Sequence, residues 1–151
     1  MTLILRDFAI AYLFAILALT GINIALAALI GNGTGYPGEL AAFALATWEA
    51  GRRDGRRIAN ELAPAQYWRV ALSITVVSFA FSVVHTGLLY VFYETEIRTG
   101  LAVLADLPPV WQAALAAAWF ALYGLIPVIL ARVLLPFAYR KGAGPAEARV
   151  F

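Results

Sequence analysis

Asn23, Glu39 and His85 are the residues of this 151-residue chain whose types could do chemistry in an apolar setting. A carboxylate and an imidazole brought together can share a proton or hold a cation, and an amide beside them can donate or accept a hydrogen bond. His85 is the sole histidine and there is no cysteine. Disulfides, thiolate metal sites and cysteine nucleophiles are therefore excluded, as are multi-histidine metal sites and bis-histidine haem ligation within one chain. No Ser/His/Asp spacing and no carboxylate-rich ligand set offers itself. The chain reads as a non-enzyme, with no metal and no cofactor expected. A single axial contact from His85 to a haem or a chlorophyll is the alternative.

A second polar group surrounds His85. Thr75, Ser78, Ser82 and Thr86 fall, with it, within roughly a third of a helix circumference at about 100° per residue. In lipid the plain role of such a stripe is hydrogen bonding between helices, worth about 0.6 kcal/mol per pair on average.

These residues need elements to position them, and the composition says which. The chain is 63% hydrophobic and 13% charged, where soluble domains run near 45–50% and about 25%. That is an all-α polytopic membrane protein. The net charge of +2 belongs to membrane topology and not to nucleic acid, because the basic residues flank apolar runs. Gly51–Arg57 carries Arg52, Arg53, Arg56 and Arg57, four of the chain's eleven basic residues. Arg-rich loops stay on the cytoplasmic side, so this stretch orients the rest.

Four spans follow, at about 8–30, 38–52, 68–93 and 110–135, with a cytoplasmic loop over 52–67, in one integral membrane domain. The first has no charge and is long enough to cross about 30 Å of hydrocarbon. It is too long for the apolar core of a signal peptide. The second is weak by hydropathy, since it holds Glu39 and Glu49. It is counted because a crossing there leaves ten basic residues inside and Arg98 alone outside. Pro64 opens the third span, and Tyr67, Trp68 and Arg69 suit the interface. In the fourth, Ala114/Ala118 and Ala117/Ala121 are small-residue pairs that suit close helix packing. Gly124 and Pro127 predict a kink there. The expected arrangement is an up-down bundle with both termini cytoplasmic. The second and third spans are expected as antiparallel neighbours because the loop between them is short.

The glycine cluster at 31–38 reads as an outer turn with Pro37 in the first turn of the next helix. It lacks the preceding strand and the lysine of a phosphate loop. Pro37 stands where a potassium-channel filter would have its last glycine. Gly51, Arg56, Glu61 and Trp68-Arg69, with the four-span layout, resemble a family of bacterial inner-membrane proteins of about 150 residues. The resemblance implies a fold and that compartment, and no activity. Small multidrug exporters are also four-span, but they carry a glutamate within the first span, and this first span has none.

Depth brings the first three residues together. Counted from cytoplasmic boundaries near Phe8, Arg52 and Trp68 at 1.5 Å per residue, Asn23 lies about 22 Å up, Glu39 about 20 Å and His85 about 25 Å. An intramembrane ionisable residue is a functional hypothesis by default. A structural lock, or a Glu39 raised to the outer headgroups, accounts for the same spacing. The first expectation for function is association, as an accessory subunit or scaffold in a complex with other membrane chains. The alternative is a small oligomeric transporter or channel using the Glu39/His85 pair.

Overall fold

The computed structural model describes residues 2–30, 35–58, 62–92 and 94–144, and every element among them is helical. They are α1 (Thr2–Ile30), α2 (Gly35–Ile58), α3 (Pro64–Phe92), α4 (Glu94–Ala105), α5 (Pro109–Phe120) and α6 (Ile126–Ala143). A π-helical turn, Ala121–Leu125, joins α5 to α6 without a break. Three stretches are long and apolar enough to cross a membrane: Leu3–Leu26, Pro64–His85 and the α5–α6 rod Pro109–Ala143. Gly31–Thr34 and Glu61 lie outside the described residues, and nothing here bears on them.

The starts follow the local chemistry. Pro64 is the first residue of α3, where its missing N–H costs nothing. The Ala63 N–H donates to the Gln66 side chain at 2.8 Å, half of a capping box. Pro37 sits in the first turn of α2, as its position predicts.

Two stretches expected as loops are helical. The basic cluster forms the last two turns of α2. Glu49 holds Arg52 and Arg53 at 2.9 and 2.7 Å, and Arg56 and Arg57 complement the negative end of the helix dipole. The outer segment forms α4, and the Gln112 amide, one turn into α5, donates to the carbonyls of Ala105 and Leu107 at 3.1 and 2.9 Å. That closes the α4–α5 corner.

α2 lies along both α1 and α6, and α3 lies along α6 and α1. The second and third helices therefore face each other across the bundle and are not neighbours. Glycine decides this. A Cβ on Gly55 would stand 2.5 Å from the Tyr139 carbonyl, and one on Gly51 2.9 Å from the Ala138 side chain. A Cβ on Gly142 would stand 2.1 Å from the Arg52 carbonyl. The Gly51-x-x-x-Gly55 face thus lets α2 and α6 approach backbone to backbone. Ala114, Ala117 and Ala118, expected to do this, are exposed on α5, and Ala121 is half-buried. Phe8, Tyr12 and Phe43 stack at the centre with ring centroids 5.3 to 6.3 Å apart.

Candidate functional site

Glu39, on the second turn of α2, borders a cavity of about 200 Å³ between α1, α2, α3 and the last rod. His85 and Ser82 line it from α3, Ile16 from α1, and Trp119 and Tyr123 from the rod. Glu39 and His85 are half-buried, so each reaches both protein and cavity. The equal depths counted along the sequence do bring this pair to one cavity. Asn23 is half-buried and engaged in an interaction of its own, but it is not among the lining residues.

Each polar group here is set by a neighbour. The Thr20 hydroxyl donates to the Ile16 carbonyl at 2.9 Å. It has one proton to give, so toward His85 it can act as acceptor. The Nε2 of His85 lies 3.5 Å from it. Tyr123 lines both this cavity and the narrow cleft below it together with Glu39. Tyr12, Ser78 and Ser82 line the same cleft together with Glu39. Ser78 and Ser82 of the polar stripe thus share that cleft with α1 and α2. Thr75 is buried in the same stripe and its hydroxyl has no partner among the described residues. The side chain of Thr86 lies outside the described residues.

Aromatic rings build the rest of the wall. Trp119 stacks on Tyr123 with centroids 4.9 Å apart and meets Phe79 edge-on at 5.7 Å. Tyr123 owes its aim to the π-helical turn. Pro127 has no N–H to give the Tyr123 carbonyl. The chain widens by one residue there, so that the Ile126 N–H reaches the Ala121 carbonyl instead. The irregularity expected at Gly124 and Pro127 takes this form, and such turns occur often at functional sites.

Tyr12, Thr20, Trp119 and Tyr123 were not singled out by the sequence. The available signal was two tyrosines in mid-span, away from the interfaces where tyrosine gathers.

The basic end of the bundle is held by other contacts. Arg57 of α2 pairs with the buried Asp7 of α1. Tyr139 of α6 donates to the buried Asp54 of α2. Arg132 lies 5.5 Å from the ring centroids of Tyr67 and Trp68. Arg56 and Arg69 are exposed. Among the described residues no cluster of histidine and carboxylate side chains could hold a metal ion. Comparison with known proteins finds no matching family model, no matching curated protein and no matching solved structure.

Proposed function

We propose that this chain is a four-span bacterial inner-membrane protein, an up-down bundle with cytoplasmic termini, that binds a small organic cation in the cavity bordered by Glu39. The observation that carries the reading is a carboxylate set among three aromatic rings. Phe79, Trp119 and Tyr123 line the cavity with aromatic rings, whose faces are negative, and Glu39 offers the charge. A cation near such faces gains about 0.5–2 kcal/mol, the larger figure where it is desolvated. His85 and Ser82 add hydrogen-bonding groups that an ammonium or guanidinium can use. About 200 Å³ suits an alkylammonium and not a large drug.

The test is binding to the purified full chain in nanodiscs, followed by tryptophan fluorescence and calorimetry. Tetramethylammonium, ethylammonium and guanidinium serve as probes. At least one should bind, and Glu39→Gln should weaken it about tenfold or more, as expected for loss of a charged partner. No binding by any probe, or equal binding by the variant, would overturn the reading.

A second reading, association with another membrane chain as an accessory subunit, is favoured by α5. No residue of α5 is buried, and its small-residue face is uncovered. Cysteines at Ala117 or Ala118 should cross-link in native membranes if that face seats a protein. A face covered by lipid alone yields monomer.

A further inference from the structure

Thr47 and Thr75 are 0% and 6% exposed, on α2 and α3, and neither hydroxyl has a hydrogen-bond partner among the described residues. A threonine in a helix usually turns its hydroxyl back to the carbonyl one turn earlier, as Thr20 does at Ile16. A buried hydroxyl without that bond costs free energy, and buried water commonly satisfies it.

Their positions give the two groups a common meaning. On α2, Glu39, Thr47 and Asp54 share one face, eight and then seven residues apart. On α3, Thr75 continues the face of Ser78 and Ser82, which line one cleft with Tyr12. Glu39 opens on the outer cavity and on the narrow cleft of about 20 Å³ beneath it, where Ser78 and Tyr12 also lie. Asp54 and its donor Tyr139 line a pocket of about 160 Å³ at the opposite, basic end, with Gln66 and Arg69. The rise of a helix puts about 12 Å between Glu39 and Thr47 and about 10 Å between Thr47 and Asp54. Phe8, Phe43, Ile74 and Leu135, all 2% exposed or less, fill the centre between the two openings. No solute passes such a core, but a proton needs only hydroxyls and single waters.

We propose that the bundle conducts protons between the outer cavity and the inner pocket, from Glu39 past Tyr12, Ser78, Thr75 and Thr47 to Asp54. The proton leaves the Glu39 carboxyl. Each hydroxyl or water accepts one proton and passes on its own, and Asp54 receives a proton and releases it to the water of the inner pocket. No bond beyond O–H is made or broken, and the chain returns to its starting state. The outer mouth of this path rests on the cavity assigned to Glu39 above, whereas the two threonines stand apart from it.

Proteoliposomes holding the full chain, a pH-sensitive dye and valinomycin to clamp the potential read the flux directly. Wild type should carry protons above empty vesicles. The double variant Thr47→Val/Thr75→Val, which keeps shape and removes both hydroxyls, should lower the flux about tenfold, roughly one hydrogen bond lost from the transfer barrier. Thr47→Ser/Thr75→Ser should retain it. Tetramethylammonium or ethylammonium binding, measured on the same samples, should be unchanged in both variants. A wild type with no flux, or a valine variant as fast as wild type, overturns the path even where cation binding persists. Loss of cation binding in wild type with flux intact overturns the cavity reading alone.

Discussion

At the residue scale, Glu39 is held by its neighbours as much as by depth. Tyr123 brings a hydroxyl beside it on the last rod and also supplies a ring to the cavity. Tyr123→Phe removes the first role and keeps the second. It should weaken cation binding by about two- to tenfold, the worth of one ordinary hydrogen bond, without changing the fold. Calorimetry on the variant checks this, and a Tyr123→Leu variant that binds as well as Tyr123→Phe would mean that the ring contributes nothing. Glu39 and His85 were legible because depth in a membrane is a count along the chain. Tyr12 and Tyr123 were not, because their roles depend on azimuth, and a few degrees of twist over a helix decides what a mid-span ring faces. At Tyr123 the π-helical turn shifts the azimuth by a residue, which a regular helical wheel over this span misplaces.

At the scale of elements, the contact that orders the bundle is α2 on α6. A methyl group at Gly55 meets Tyr139 backbone atoms 2.5 and 2.9 Å away, and these cannot swing aside as a side-chain end would. Gly55→Ala should therefore destabilise the fold by about 1–3 kcal/mol, the usual cost of overpacking. Gly21→Ala is the control, since nothing lies within 4 Å of that Cβ, and it should be neutral or mildly stabilising. Thermal unfolding in detergent ranks the two, and equal midpoints would mean that α2 and α6 are not in contact in the membrane. The short connection between α2 and α3 suggested side-by-side packing. Loop length limits how far apart two helix ends lie but does not choose a partner. Gly51 and Gly55 choose it, and in the sequence they look like parts of a basic loop because Arg52, Arg53, Arg56 and Arg57 surround them. The same mixture hid the helix: charge suggested solvent, while Glu49 three and four residues before Arg52 and Arg53 supplied the pairing that lets a helix carry it.

For the whole molecule the open question of topology turns on α2, whose carboxylates and arginines keep it from the three stretches apolar enough to span. Were α2 to lie flat on the outer surface, it would touch its neighbours at one level only. Its contacts instead run end to end. Glu39 shares the outer cavity with Trp119 and His85, Gly51 fits Ala138, Arg57 pairs with Asp7 near the start of α1, and Arg52 lies under Gly142 near the end of α6. The start of α1 and the end of α6 thus share a level with the arginine cluster, and the Tyr67–Tyr139 ring contact brings the start of α3 there too. Basic residues gathered at one end are what the proposed cytoplasmic face requires. A helix sheltered on two sides by α1 and α6 need not be apolar all round to cross, because its charged groups meet protein or lie at the ends. Single cysteines at Arg56 and Arg98 should therefore label from opposite sides of the inner membrane, Arg56 after the cells are opened and Arg98 in intact spheroplasts with an impermeant maleimide. Labelling of Arg56 from the outside, with Arg98 reached only after the cells are opened, would place α2 on the periplasmic surface, because α3 would then cross inward. It would separate Arg57 from Asp7 by the thickness of the bilayer, and it would remove the fourth crossing and the inner pocket at Asp54 together.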